Sequence, residues 1–448
     1  MNLYLVFIIF VIVCTYLLET AATILNLRNL DDTLPREFSD VFNQERYGSS
    51  QAYTRAMGRL DLLRSSLLTP ATILFILLGG FNLVDRLARS LETGPILTGL
   101  VFTGSLLLLS SCATLPFSIY TTFVIEERFG FNRTTPTTFV LDILKTILLT
   151  ILIGAPAYGA VLWFFQNSGP SAWLYCWLLA ALFILFMQFL APALIMPLFN
   201  RFTPLDEGEL KERILDYAHR EDFTLQGIFT MDGSRRTAKL NAFFTGFGRF
   251  RRIVFFDTLL EKLDPEETLS VLAHEMGHYK KRHIFKMMGI AILQVGFLFF
   301  LLSLFINNEG LFAAFSMEHI SVHASLVFFG FLYTPISLLL GIGVNALSRR
   351  HEFEADTYAA QTTSARALIR ALKKLSAENL SNLTPHPLYV ILHYSHPPIL
   401  DRIRALQEAA SGCAPACATC GAREQLMPGE RICSWCRAEE ESCGCSDE

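Results

Sequence analysis

The chain has 448 residues, 52% of them apolar and only 17% charged, with a mean hydropathy of +0.39 and a net charge of −4. That balance excludes an ordinary soluble domain and offers no basic surface to nucleic acid, which leaves the lipid bilayer as the first partner.

Against the ~20 apolar residues that a hydrocarbon core requires, long enough segments lie at about 3–24, 66–84, 96–123, 142–165, 172–199, 284–307 and 321–345. Seven transmembrane helices are therefore expected. The first reads as a retained anchor rather than a cleavable signal, because residues 1–13 hold no Lys or Arg and Leu and Ile continue past residue 20. Pro116 in the third segment and Pro192 and Pro197 in the fifth are expected to kink or end their helices. With the N-terminus outside, the short outer loops carry only Arg86 and Arg89. The positive-inside rule then puts residues 25–65, 124–141, 200–283 and the whole C-terminal region in the cytoplasm.

The polar stretch after the fifth segment predicts a helix near 206–220, an extended run near 223–231 and a second at Arg252-Ile253-Val254-Phe255-Phe256. A further helix is signalled by Asp264 as N-cap, Pro265 at the first helical position and Glu267 completing a capping box. It carries His274-Glu275-Met276-Gly277-His278. Residues four apart stand on one helix face, so the two imidazoles can converge on a zinc ion while Glu275 serves as general base towards water. Such a set reads as a metallopeptidase.

After the seventh segment comes His351-Glu352-Phe353-Glu354-Ala355-Asp356, in which Glu352, Glu354 and Asp356 are equal candidates for a third ligand. A salt bridge with Arg349 or Arg350 is the plainer role for Asp356. Only five residues separate His278 from the sixth segment, and six separate Asn345 from Glu352. At 1.5 Å per helical residue, both halves of the site fall within roughly 10 Å of the membrane boundary. A membrane-associated or lipidated peptide is the substrate this position favours. His283 reads as an interfacial residue among Lys280, Lys281 and Arg282.

Residues 363–410 read as helical, and seven of the ten cysteines follow in the last 36 residues. Cys417-Ala418-Thr419-Cys420 and Cys433-Ser434-Trp435-Cys436 have zinc-ribbon spacing, which predicts a second, structural zinc in a cytoplasmic appendage that docks a protein partner or substrate. A redox pair and an unstructured tail are the competing readings, and Cys413, Cys443 and Cys445 stay unassigned. Cys14, Cys112 and Cys176 are expected to be buried thiols in hydrophobic segments. Sequons at Asn132, Asn379 and Asn382 fall on the cytoplasmic side and are read as unmodified.

Several ordered motifs carry a resemblance. They are Glu127-Arg128-Phe129-Gly130-Phe131-Asn132, Leu240-Asn241-Ala242-Phe243 followed by Gly246-Phe247, Arg252 to Leu260, the HExxH, Ser348 to Asp356, and Ser395-His396-Pro397-Pro398. From about residue 45 to 410 the chain resembles the zinc-dependent CAAX prenyl proteases, integral-membrane metallopeptidases. The resemblance implies seven helices enclosing a chamber and a small β-containing catalytic region. It also implies His274, His278 and Glu352 as zinc ligands, Glu275 as general base and Asp356 as support for a ligand. His396 matches a histidine placed near the scissile carbonyl, and Asn241 an asparagine beside an exposed strand that holds substrate extended. The expected fold is thus an all-α polytopic membrane protein with five helices in 1–199, a metallopeptidase region in 200–410 and the zinc-ribbon-like tail in 413–448. Two alternatives compete with a protease of CAAX-type substrates: a membrane quality-control protease of HtpX type, and a transporter or scaffold with a vestigial zinc site.

Overall fold

The computed structural model describes residues 2–245 and 252–410. Gly246, Phe247 and all seven tail cysteines lie outside the described residues.

Among the described residues, seven helices are long and apolar enough to cross a membrane: Leu3–Arg28, Gln44–Leu77, Gly94–Glu126, Pro136–Asn167, Gly169–Phe199, His283–Phe305 and Val322–Thr362. Each span packs against the next in sequence, and the seventh returns to the first, so the spans close a ring. No residue in the most apolar window of the fourth or fifth span is buried. The seventh span also packs against the third and fourth, so it lies along that side of the ring as well as closing it. Cys14 and Cys112 are exposed on this ring and only Cys176 is buried. That corrects the expectation of three buried thiols, because a lipid-facing or chamber-facing side chain is apolar in setting without being covered.

The prolines do not end their helices. The third span passes Pro116 and continues through a π-helical turn, Thr121–Glu126, while Pro192 sits inside another, Ala191–Ile195. A π-turn shifts the hydrogen-bond register and absorbs the donor that proline lacks. The second span departs further from expectation. Its helix starts at Gln44 and stops at Leu77, after which Gly79, at φ +70°, turns the chain into a separate helix, Gly80–Arg89. The apolar residues beyond that break cap the end of the ring where the seventh span begins, and there Phe81 stands edge-on to Phe315 and Phe328. Beside them the fully buried Asp85 carboxylate meets His323 Nε2 at 2.8 Å and Arg89 Nε at 2.6 Å, pinning the start of the seventh span.

The polar region builds a four-stranded sheet from β1 (Phe202–Pro204), β2 (Gly227–Met231), β3 (Ala242–Thr245) and β4 (Arg252–Phe256), ordered β1-β2-β4-β3. β2 and β4 run parallel, with Ile228 opposite Ile253, and the outer pairs are antiparallel. Alternation in β4 sends Ile253 and Phe255 into a core with Ile214, Tyr217, Leu272 and Met276. β3 is an edge, and the strip leading into it is firmly held. Arg236 forks onto Asp142 of the fourth span at 2.8 and 3.0 Å, and Lys239 Nζ reaches Glu126 and Tyr53 at 2.9 and 2.8 Å. Asn379 accepts from the Leu240 amide at 2.8 Å and donates to the Leu240 carbonyl at 3.1 Å, so this sequon asparagine serves as a backbone clamp.

Candidate active site

The HExxH helix, Pro265–Lys280, begins on the capping box expected for it, with Asp264 accepting from the Glu267 amide and Glu267 accepting from the Asp264 amide. Its partner is the last third of the seventh span, which continues unbroken to Thr362 and carries Glu352 and Asp356 inward. Gly277 permits the close approach: a Cβ there would stand 3.0 Å from Ala355 Cα and 3.1 Å from its carbonyl oxygen.

This packing gathers His274, His278 and Glu352. The two Nε2 atoms lie 3.2 Å apart, Glu352 Oε1 is 3.2 Å from His278 Nε2, and Glu352 Oε2 is 3.5 Å from His274 Nε2. Tetrahedral zinc with donors near 2.0–2.1 Å would separate its ligands by about 3.3 Å. The donor triangle therefore has the size and chemistry of a zinc site. Two further observations fit the same ion. Glu352 Oε2 is buried without a hydrogen-bond partner among the described residues, with Arg402 Nη1 at 3.4 Å and His274 Nε2 at 3.5 Å as its charged neighbours. Burial pulls the His274 pKa down, but the Asp356 and Glu352 carboxylates outweigh it and push it up to about 9, so the cluster draws positive charge.

Around the triangle, Asp356 Oδ1 lies 2.8 Å from His274 Nδ1, and Asp356 does not pair with Arg349 or Arg350. Its cation is Arg402, which grips both carboxylate oxygens at 2.7 and 2.8 Å. Sequence reasoning missed Arg402. The available signal was its register, since it follows Ile399 by three and precedes Ile403 and Leu406 on the covered face of the helix Ile399–Ala410. His396 is exposed, with Nε2 3.3 Å from Glu352 Oε1. Asn241 immediately precedes β3, and its Oδ1 accepts from the Ala242 amide at 2.9 Å. His283 departs from its expected interfacial role and is 2% exposed.

Two cavities meet here. One, of about 120 Å³, is lined by Asn241, His274, Glu275, Glu352, His396 and Arg402. The other, of about 490 Å³, runs between Ile184, Phe243, Ile284, Met287 and Met288 and also reaches Glu275 and His278. Glu275 lines both, and burial pushes its carboxyl above the ordinary carboxylate range.

Comparison with known proteins bears on this geometry. The model of the CAAX prenyl protease N-terminal region, described as five membrane helices, matches residues 23–201, and that of peptidase family M48 matches residues 204–410. The chain belongs to peptidase family M48. Within it, a rice CAAX prenyl protease 1 homolog is 37% identical over 88% of this chain and 95% of its own length. The human homolog is 32% identical over 84% and 88%. A crystal structure of S. mikatae Ste24p has a TM-score of 0.86 at 31% identity, covering 90% of this chain and 99% of that one. Membership makes the chain a membrane-embedded zinc metalloprotease, and neither the quality-control nor the transporter reading is favoured.

Proposed function

We propose that this protein hydrolyses peptide bonds near the C-terminus of prenylated CAAX-type or other membrane-associated peptides, with His274, His278 and Glu352 holding zinc and Glu275 as general base. The observation that carries the reading is the donor triangle facing a cavity that Glu275 shares with an apolar one. A zinc ion held there supplies Lewis acidity that polarises water and the scissile carbonyl. Glu275 takes a proton from the attacking water as the C–O bond forms and returns it to the departing amine as the C–N bond breaks. Its raised pKa suits both transfers. His396 donates towards the developing oxyanion from the open side of the cleft. Asn241 and edge strand β3 pair with substrate in extended form, since an edge presents unpaired amides and carbonyls. Asp356 fixes the His274 ring.

In this reading residues 1–199 supply most of the chamber wall and 200–410 the chemistry, which faces the cytoplasm. The relatives' names concern CAAX proteins, and the apolar cavity of about 490 Å³ beside Glu275 suits a lipidated chain. Purified protein offered a farnesylated CAAX peptide and its unprenylated twin should cleave the first at least tenfold faster; equal rates would remove the lipid from the proposal. For the orientation, protease added to the cytoplasmic face of sealed vesicles should remove the C-terminal region, and protection from that side would reverse the topology. The tail reading, resting on the Cys417, Cys420, Cys433 and Cys436 spacing, adds a structural zinc and a docking role. Metal analysis should return two zincs per chain, falling to one in Cys417→Ser; one in the parent protein refutes the ribbon.

A further inference from the structure

Between the HExxH helix and the sixth span the chain makes a tight turn through Lys281 and Arg282, the latter at φ +58°. In one continuous helix, residues five apart would point about 140° away from each other. The left-handed Arg282 breaks that relation and folds His283, the first residue of the sixth span, back beneath His278. His278 Nδ1 and His283 Nδ1 are 3.1 Å apart, and His283 Nε2 is 3.0 Å from Glu354 Oε2. The His283 ring stacks on His351 at 3.9 Å with planes 9° apart, and both histidines are buried. Arg350 Nε holds the other Glu354 oxygen at 3.2 Å.

We propose that His283 and Glu354 are positioning residues for the metal, forming a carboxylate–histidine–histidine chain that fixes the His278 ring as Asp356 fixes that of His274. The proposal rests on His278 being a ligand. A ring that turns Nε2 to zinc presents its lone pair there, so its proton sits on Nδ1 and needs an acceptor. His283 Nδ1 is that acceptor, which in the neutral ring leaves the proton on Nε2, where Glu354 takes it. The directions are consistent along the whole chain with every imidazole neutral. Stacking on His351 and the Arg350 contact hold the two links in place. Both arms then come from the same stretch of the seventh span, one direct through Asp356 and one relayed through His283.

The test is zinc affinity of the full chain, measured by competition with a chromogenic chelator at fixed pH. His283→Phe keeps the ring and its stacking on His351 but cannot accept, and should weaken zinc binding about 10–100-fold. His283→Asn, which offers an acceptor oxygen and a donor amide, should recover most of that loss. Glu354→Ala should weaken binding by a smaller factor, and the double variant His283→Phe/Glu354→Ala should be no weaker than His283→Phe alone, because Glu354 acts through the ring. His283→Phe within twofold of the parent, or additive losses in the double variant, would overturn the chain. Should His283→Phe fail to fold, His283→Asn against Glu354→Ala still decides: an Asn variant as weak as the Ala variant or weaker overturns it. His278→Ala separates the two layers, since loss of zinc there beside parent affinity in His283→Phe refutes only this proposal, and retained zinc there refutes the ligand assignment.

Discussion

Glu275→Gln keeps its zinc and loses peptide hydrolysis by about 10²–10⁴-fold or more, the range that a positioned proton carrier contributes. The side chain is nearly isosteric and stands outside the donor triangle of His274, His278 and Glu352, so metal retention should be unaffected. What changes is that the amide cannot take a proton from water, and the amine leaves unprotonated. Burial raises the pKa of the native carboxyl, bringing it closer to the operating range of a base that must also act as acid. Metal content and turnover measured on one preparation check both halves. Undiminished turnover would remove Glu275 from the mechanism, and parallel loss of zinc and activity would make it a structural residue.

Arg402→Met is expected to be the most destabilising single change at the site. Arg402 is 7% exposed, and it forks onto both Asp356 oxygens while approaching Glu352 at 3.4 Å. Truncation leaves two buried carboxylates with fewer cations, and breaking a buried pair costs about 3–5 kcal/mol. Arg402→Lys should recover only part, because an ammonium cannot reproduce the two-pronged geometry. The loss should be larger in metal-free protein than in zinc-loaded protein, since a bound dication compensates the same carboxylates and stabilises the folded state by mass action. Denaturation of both forms in detergent reads the difference. Equal losses with and without zinc would mean that Arg402 acts by packing alone.

Local signals were legible in the sequence. The capping box at Asp264 and Glu267 and the strand at Arg252–Phe256 depend on residues a few positions apart, and both stand where the pattern put them. The helix break at Gly79 was missed because hydropathy does not separate burial beneath Phe315 and Phe328 from burial in lipid. The site divides similarly. Spacing proposes His274 and His278, whereas Glu352, Glu354 and Asp356 could be sorted only by resemblance, and their separation became visible once helix packing turned Glu352 to the triangle and Asp356 to Arg402. His283 was illegible because its contact depends on a left-handed turn that no periodicity announces. Arg402 reaches across from a helix more than a hundred residues after the motif.

The unbroken helix Val322–Thr362 has one end pinned through His323 to Asp85 at the far side of the ring, and Glu352 stands 29 residues along it. At 1.5 Å per residue the lever arm is at most about 44 Å, with Pro335 lying inside it. A tilt of one degree about the pinned end would carry Glu352 sideways by up to about 0.8 Å, beyond the ~0.5 Å within which a functional constellation must be held. Transmembrane helices in general take tilts anywhere from about 0° to 40°, set by mismatch and by packing against their neighbours. The closed circuit of seven helices therefore works as a stiff frame against the lipid, and loosening it far from the zinc should detune the chemistry before it unfolds the protein.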